Sequence, residues 1–373
     1  MKPLLNLLLL FLGLLIFTQD VQASEKVRVL VLDDLPGATL NFPPEYNVEG
    51  VSGLGIASPD GQGGTRIVLE GDRCPQGGVR INAEGVIVSV NRYALTGVIE
   101  IKRNARGRYR IINELDLEDY VRSVVGEEMG SKWPIEALKA QAVLARTYAM
   151  YRKSCRCAVD YDLCATVNSQ VFTGGAKEKE GPATAARETA GEILTYDGAP
   201  IEAVYHSTCG GETEDACNVW DSKYPYLKSR VCNYCKDSPY YAWKRRISIP
   251  ELDESLVQAG YMINGLKEIK VLERSPSERI MKLRLIGESG SVVLKGADFR
   301  KAVGYSKLPS AAFEAHREGD NFVFIGRGSG HGVGLCQFGA KGMAEAGKDY
   351  QEILQYYYPG VTLSRLQDTG DSK

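Results

Sequence analysis

Apolar and polar residues alternate along several short segments in the first third of the chain. In the segment KVRVLVL, residues 26–32, Val stands at every second position, which is the period of a β-strand with one buried face. Similar segments recur up to residue 113, and Gly, Pro, Asn and Asp separate them. The pattern therefore predicts an N-terminal β-rich part over residues 24–112.

A helical pattern replaces this alternation in the next part of the chain, residues 113–200. Asp116 fits a helix N-cap, because apolar residues follow it at helical spacing. After a short break, Pro134 suits a first helical position, and one apolar face predicts a helix over residues 134–152. That face consists of Ile135, Leu138, Ala142, Ala145 and Ala149. Its alanines allow close packing, so we expect one long buried helix.

Alternating segments return after residue 243, and a glycine-rich segment, RGSGHGVGLCQFGAKGM, spans residues 327–343 and enters a further helix. We expect a C-terminal β-rich part over residues 201–365 and a polar tail over residues 366–373. The whole pattern predicts an α+β fold, in which β-rich lobes flank a central helical segment with one long buried helix.

The first 23 residues have the pattern of an export signal. Lys2 precedes an apolar run over residues 4–17, which is short for a membrane span, and the run leads to the small-residue sequence Val21-Gln22-Ala23. We predict a signal peptide over residues 1–23, with an uncleaved membrane anchor as the alternative. Either case places the folded part outside the cytoplasm, in the periplasm, the cell wall or the extracellular space.

Composition narrows the class of protein. The 373 residues are 44% hydrophobic and 25% charged, which excludes a largely disordered chain. The formal net charge is -2, so no strong basic field would attract nucleic acid. We expect no nucleic-acid partner, and a membrane partner only if the signal segment is not cleaved.

Two adjacent glutamates, Glu127 and Glu128, stand between apolar residues just before the long helix. A carboxyl group that Val, Met and Trp desolvate keeps its proton to higher pH, as a general acid requires. On a helix, consecutive side chains point about 100° apart, so both cannot face one site. These residues alone leave two interpretations open, a working acid or two solvated charges.

The glycine-rich segment 327–343 contains six glycines around His331. Glycine lets a backbone approach a ligand closely, so the segment is either a binding wall or a tight structural turn. Its spacing matches neither a phosphate loop nor a dinucleotide fingerprint. Cys336 beside His331 could suggest a nucleophile and its base, but no third member of such a group is evident.

Nine cysteines raise the question of metal binding or disulfides. One His-x-x-Cys pair and one Cys-x-x-Cys pair have ligand types and spacing suited to tetrahedral zinc: His206, Cys209, Cys232 and Cys235. Export favours disulfides instead, for example between Cys209 and Cys217 or within the Cys232–Cys235 pair. Both states stay open. Cys155, Cys157 and Cys164 form a second group, which lacks a nearby histidine.

Five long segments occur in order and carry a resemblance: INELDLEDYVRSVVGEEMGSKWPIEALKAQAVLARTYAM, NSQVFTG, YHSTCGGETEDACNVW, GRGSGHGVGLCQFGAKGMAEAG and ILQYYYPGVTL. The chain resembles the stage II sporulation protein D (SpoIID/LytB) family, which includes amidase enhancers, over nearly all of residues 24–365. The resemblance implies a peptidoglycan lytic transglycosylase that cleaves the MurNAc–GlcNAc β-1,4 bond. It also implies a preference for glycan strands stripped of their stem peptides.

The resemblance implies site residues as well. The family's acid lies in a V-V-x-x-E-M setting, which corresponds to Glu128. Residues of the long helix implied to face or support a glycan groove are Lys139, Gln141, Arg146 and Tyr148. Further residues implied for the groove are Gln170, Arg327, His331 and Gln337. Some relatives bind zinc near the SQVF-like motif through Cys and His, but here that segment has Cys164 without a histidine.

The implied reaction needs one carboxyl group and no cofactor, so any zinc would be structural. Glu128 would protonate the leaving oxygen and then take a proton from the C6 hydroxyl of the same sugar, which attacks the anomeric carbon. The product would carry a 1,6-anhydro-muramic end. The alternative is a non-catalytic peptidoglycan-binding module that stimulates a cell-wall amidase. A metal-dependent hydrolase built on His206 and the cysteines is the weakest candidate.

Overall fold

The computed structural model describes residues 25–48, 54–69, 74–75, 77–155, 160–166, 169–174, 179–220 and 222–366. The predicted signal peptide lies outside these residues, as do residues 367–373 of the predicted tail. Within the described part of the chain, no helix combines the length and the apolar character that a membrane crossing requires.

The N-terminal part forms most of one large sheet. Its first seven strands are β1 (Lys26–Leu35), β2 (Ala38–Phe42), β3 (Gly55–Pro59), β4 (Thr65–Leu69), β5 (Val79–Val90), β6 (Tyr93–Arg103) and β7 (Tyr109–Asp116). A short strand β8 (Leu163–Cys164) completes an eight-stranded sheet in the order β3-β4-β2-β5-β6-β7-β1-β8. The strands pair antiparallel, except that β8 runs parallel to β1. The alternation in the sequence thus corresponds to a sheet with one face in the core.

Three helices follow this sheet: α1 (Leu117–Glu128), α2 (Ile135–Cys155) and α3 (Glu180–Glu188). Asp116 caps α1 as expected, since its side chain accepts a hydrogen bond from the backbone N–H of Glu118 at 2.8 Å. Helix α2 is buried between Ala137 and Ala149 except at Lys139, and it packs against α1, α3 and later helices. Its small alanine side chains permit these close contacts. One long buried helix is therefore confirmed.

The rest of the chain alternates short strands and helices. These elements are β9 (Glu192–Tyr196), β10 (Ala199–Pro200), β11 (Tyr205–His206), α4 (Ala216–Val219), β12 (Trp243–Ser248), α5 (Ile249–Gln258), β13 (Glu268–Arg274), β14 (Ile280–Gly287), β15 (Gly290–Lys295), α6 (Gly296–Val303), β16 (Phe313–Glu318), β17 (Asn321–Gly326), β18 (Leu335–Cys336), α7 (Gln337–Glu345), α8 (Tyr350–Tyr357) and β19 (Thr362–Arg365). Mixed helices and strands confirm the α+β class.

Two separate hydrophobic cores organise these elements. The main core joins the large sheet to α1, α2, α7 and α8. A second core is formed by residues from Trp243 to Phe324 in the sequence. It includes two three-stranded antiparallel sheets, β12-β17-β16 and β13-β14-β15. The predicted layout treated residues 201–365 as one part and did not separate this second core.

The glycine-rich segment returns the chain from the second core to the main one. Strand β18 pairs with β11, so that Cys336 lies opposite His206. Gly334 permits this pairing, because a Cβ atom there would lie 2.0 Å from the carbonyl oxygen of Val204, and its φ of 71° is left-handed. The start of α7 therefore lies next to the end of α1.

Candidate active site

The two adjacent glutamates lie in the last turn of α1 and have different environments. Glu127 is exposed, and its carboxylate lies 3.6 Å from the ammonium group of Lys179. Glu128 faces the protein, where the backbone N–H of Val171 donates to Oε1 at 2.9 Å and Nε2 of Gln337 lies 3.5 Å from Oε2. This divergence follows from the helical turn of about 100° per residue. Glu128 is thus the carboxyl group that the fold holds in a defined position.

The surroundings of Glu128 raise the pKa of its carboxyl group above the usual 4.5. Burial is the largest cause, because the ionised form loses solvation that the neutral acid does not need. Hydrogen bonds from the backbone of Val171 and from the side chains of Tyr205 and Gln337 act in the opposite direction, since they stabilise the carboxylate. The group therefore keeps a proton to higher pH and still has donors ready for its anion.

A chain of hydrogen bonds orients Tyr205 toward Glu128. The hydroxyl of Tyr120 donates to Oε1 of Gln170 at 2.9 Å, and Nε2 of Gln170 donates to the Tyr205 oxygen at 3.1 Å. Because that oxygen accepts from Gln170, the Tyr205 proton is directed to the carboxylate of Glu128. Burial raises the pKa of both tyrosines far above its usual value, so both remain donors at neutral pH. Gln170 is buried and supports the site from behind.

Two of the four implied residues of α2 face this group. Gln141 is buried, and its Oε1 accepts from Nε2 of Gln337 at 3.4 Å, while its own Nε2 has no partner among the described residues. Tyr148, seven residues later and on the same helical face, bonds to Ser169 in the loop that supplies the backbone donor to Glu128. Gln141 therefore touches the site directly, and Tyr148 supports its loop.

Lys139 and Arg146 point away from the site, because two positions along a helix correspond to about 200°. Arg146 is fully buried, and its guanidinium donates to both carboxylate oxygens of Glu118 at 2.8 and 2.6 Å. Lys139 forms ion pairs with Glu136 and Glu188, each at 2.9 Å. Both cations have partners within the protein, and those partners belong to the packing of α2 against α1 and α3.

Arg327 and His331 also lie apart from the carboxyl group. Nη2 of Arg327 donates to the carbonyl of Ser277 at 3.3 Å. His331 lines a cavity of about 570 Å³ beside the second core, and burial, as the largest cause, lowers the pKa of its imidazole to about 4. The imidazole of His331 contacts the site through a hydrogen bond with the backbone of Tyr205. Of the implied groove residues, the fold thus unites Gln141, Gln170 and Gln337 around Glu128, with Tyr148 behind them.

Sequence similarity extends over about two thirds of the chain. This chain is 36% identical over 276 residues to the stage II sporulation protein D of Bacillus subtilis (strain 168). The alignment covers 69% of this chain and 78% of that protein. The chain belongs to the stage II sporulation protein D family. The family model described as stage II sporulation protein matches residues 105–196, and a domain of unknown function (DUF8618) matches residues 227–334.

Other relatives extend this picture of the stage II sporulation protein D family. An uncharacterised protein of Brachyspira hyodysenteriae (strain ATCC 49526 / WA1) is 36% identical over 255 residues, which is 68% of each chain. The amidase enhancer of Bacillus subtilis (strain 168) is 28% identical over 294 residues, which is 65% of this chain and 40% of that protein. The matched residues 105–196 contain Glu128 and Gln170, whereas the second match, 227–334, contains the second core.

This member of the stage II sporulation protein D family also brings four buried cysteines together behind the site. Their sulfur atoms all lie within 4.8 Å of one another, and they belong to Cys209, Cys232, Cys235 and Cys336. His206, which the sequence analysis placed in this group, is not part of it. Its Nδ1 lies 3.0 Å from the carbonyl oxygen of Val333, which holds the imidazole on that side, and Cys336 takes its place.

Several residues of the site were not identified from the sequence. Tyr205 precedes His206 in the YHST segment, where the histidine is the residue type more typical of catalytic and metal sites. Tyr120 fits the apolar face of α1, which by itself predicts a packing role. Trp133 and Phe338 form an edge-to-face aromatic pair with ring centres 4.9 Å apart, and both are partly exposed near the end of α1. A polar atom on an otherwise apolar face was the available signal for both tyrosines.

Proposed function

We propose that this protein is an exported peptidoglycan lytic transglycosylase of cell-wall remodelling, in which Glu128 acts first as acid and then as base. The observation that carries the proposal is the environment of this one carboxyl group. It is largely desolvated, three donors surround it, and its neighbour Glu127 is directed to Lys179. In the described residues, Glu128 is the only carboxylate of the hydrogen-bonded group around Tyr205 and Gln337.

The proposed reaction uses Glu128 twice. The protonated carboxyl group gives its proton to the glycosidic oxygen as the bond between that oxygen and the anomeric carbon breaks. The resulting carboxylate is stabilised by the N–H of Val171 and the hydroxyl of Tyr205. It then takes the proton of the C6 hydroxyl, whose oxygen bonds to the anomeric carbon. Because attack is intramolecular, no second carboxylate is needed to activate water.

The surface near the end of α1 suits a sugar strand. Trp133 and Phe338 offer partly exposed aromatic faces, and apolar sugar faces pack on such rings. Phe338 directly follows Gln337, so this aromatic pair lies beside the donors of Glu128. A glycan strand without stem peptides is the substrate that we propose.

Product analysis tests this proposal. Purified protein is incubated with peptide-stripped glycan strands, and the soluble products are identified by mass spectrometry. We expect fragments with 1,6-anhydro-muramic ends. Fragments with ordinary reducing ends would indicate hydrolysis, and the absence of fragments from protein that still binds the strands would reject the enzyme.

The second candidate function is stimulation of a cell-wall amidase. The observation that favours it is the relative named amidase enhancer, although the alignment covers only 40% of that protein. An enhancer would increase peptide release by an added amidase without producing anhydro ends. The same purified protein can be used in both assays, so the two functions are separated directly.

The pH dependence of cleavage should report the carboxyl group of Glu128. Because burial raises its pKa above 4.5, we expect kcat/KM to fall on the alkaline side at a pH above that value. Gln337→Ala removes a donor that lowers this pKa, so the fall should move to still higher pH. Gln258→Ala, at an exposed end of α5, is the control and should leave the profile in place. A fall near pH 4.5 in all three proteins would contradict the assignment.

A further inference from the structure

Four cysteines form a compact buried group where three segments of the chain meet. Cys209 follows β11, Cys232 and Cys235 lie in one turn, and Cys336 caps the N-terminus of α7. All four are free thiols, and at most 1% of any of the four residues is exposed. A tetrahedral zinc ion with ligands at about 2.3 Å holds its sulfur atoms about 3.8 Å apart. The sulfur atoms of Cys209 and Cys235 lie 3.5 Å apart.

We propose that this protein binds a structural zinc ion through four thiolates, those of Cys209, Cys232, Cys235 and Cys336. Four protein ligands leave no open coordination position, as in structural and not catalytic zinc sites. The Cys232-x-x-Cys235 turn supplies two ligands, and two distant segments supply one each. The site therefore joins parts of the chain that the sequence separates widely.

Backbone donors point at the sulfur atoms as they do in zinc thiolate sites. The N–H groups of Cys209 and Gly339 lie 3.2 and 3.3 Å from Sγ of Cys336. The N–H of Gly210 bonds to Cys235 as well. Such donors stabilise a thiolate that carries charge and orient it toward the metal. Disulfide sulfur atoms carry no charge and would use these donors poorly.

A buried cation offsets the charge of the group. A zinc ion with four thiolates has a formal charge of -2, and a nearby positive charge lowers the cost of burying it. Arg279 is 4% exposed, and its Nη2 donates to the carbonyl of Cys209 at 2.9 Å. Its Nε has no partner among the described residues. A Cβ atom on Gly332 would lie 2.5 Å from Cζ of Arg279, so glycine leaves the room for this cation.

The packing of α7 also fits a metal site. The hydroxyl of Tyr357 lies 3.2 Å from Sγ of Cys232 and can donate to a thiolate. A Cβ atom on Gly339 would lie 2.8 Å from that sulfur and 2.0 Å from the tyrosine oxygen. Glycine at this position thus allows the first turn of α7 to approach the sulfur atoms. Any side chain there would push this turn away from them.

The zinc site stands directly behind the carboxyl group. Cys336 precedes Gln337, which lies 3.5 Å from Glu128, and Cys209 follows Tyr205 by four residues. Both side-chain donors of Glu128, Tyr205 and Gln337, therefore belong to segments that the metal would anchor. We infer that zinc positions these donors, and this consequence, unlike zinc binding itself, rests on the proposed function.

Metal content is the first test. The full chain is purified under reducing conditions, and its zinc content is measured by inductively coupled plasma mass spectrometry. We expect about one zinc ion per chain. Cobalt added to the metal-free protein should give the intense thiolate-to-metal absorption of a tetrahedral site with four sulfur ligands. Neither measurement involves glycan, so the zinc proposal would stand even if the transglycosylase proposal failed.

Variants then identify the ligands. Cys336→Ser should reduce zinc content several-fold and weaken the cobalt absorption, whereas His206→Ala should retain both. Cys217→Ser is the matched control, because Cys217 lies outside the group of four. Zinc retained by Cys336→Ser but lost from His206→Ala would overturn the assignment. So would wild-type protein that binds neither metal and that, in a preparation made without reductant, has a mass lower by the four hydrogens of two disulfides. If Cys336→Ser does not fold, the cobalt spectrum of the wild type decides.

Discussion

Glu128→Gln is expected to lower kcat for glycan cleavage by about 10²- to 10⁴-fold, the usual contribution of a general acid or base. Glutamine has the same shape, and its carbonyl oxygen can accept the N–H of Val171, so the site should stay assembled. It cannot release a proton to the leaving oxygen. Because the lost interaction acts in the transition state, KM should change little. Initial rates of anhydro-end formation and strand binding are the measurements.

Glu127→Gln is the matched control for this experiment. Glu127 is exposed and pairs with Lys179, so its replacement should leave the cleavage rate close to that of the wild type. Equal losses in both variants would indicate a general effect on α1 and not an acid at position 128. A Glu128→Gln protein that cleaves normally would exclude the proposed mechanism.

Glu128→Gln should also differ from the wild type in the pH dependence of its stability. The folded-state pKa of Glu128 lies above its usual 4.5, so the wild type loses stability as pH rises from that value through the folded pKa. Glutamine does not ionise, and Glu128→Gln should therefore lose less stability over this interval. Urea unfolding at acid and neutral pH measures the difference, and it also shows that lost activity does not come from unfolding.

Of the substitutions considered, Glu118→Ala should cause the largest loss of stability, a decrease of about 3–5 kcal/mol in the free energy of unfolding. The substitution leaves the guanidinium of Arg146 fully buried without its counter-charge. It also removes the acceptor of the Gly191 N–H, at 3.1 Å, where the chain leaves α3. The remaining acceptors of Arg146 among the described residues are the carbonyls of Glu192 and Ala186. Urea unfolding followed by circular dichroism gives the value.

Two further variants test the reason for this loss. Arg146→Met leaves Glu118, which is partly exposed and can be hydrated, so it should cost less than Glu118→Ala. Glu188→Ala removes a carboxylate that pairs with Lys139 at the surface, and its effect should be much smaller. If Glu188→Ala and Glu118→Ala destabilise the protein equally, burial of Arg146 does not determine the cost.

Local patterns in the sequence determined the secondary structure around the site. Asp116 was identified as the cap of α1, and the helix expected over residues 134–152 spans Ile135–Cys155. These predictions succeed because capping and helical periodicity depend on neighbours within one or two turns. The choice of Glu128 over Glu127 came from the family resemblance, and in the structure Glu128 is the less exposed of the two.

Contacts between distant segments could be decided only by the tertiary structure. Helical period separates Lys139 and Arg146 from Gln141 and Tyr148, but it does not say which pair faces Glu128. That depends on how α2 packs against its neighbours.

Cysteine spacing shows the same limit, because it reports only ligands that are close in the chain. The sulfur atoms of Cys232 and Cys235 do lie together, whereas spacing suggested His206 beside them and gave no sign of Cys336. The pairing of β18 with β11 brings Cys336 to the other sulfur atoms and Gln337 to Glu128. The sequence by itself determined the local helices and strands, and the family resemblance pointed to Glu128 as the proposed acid. The pairing of distant strands, which no local pattern encodes, decided which residues surround that acid.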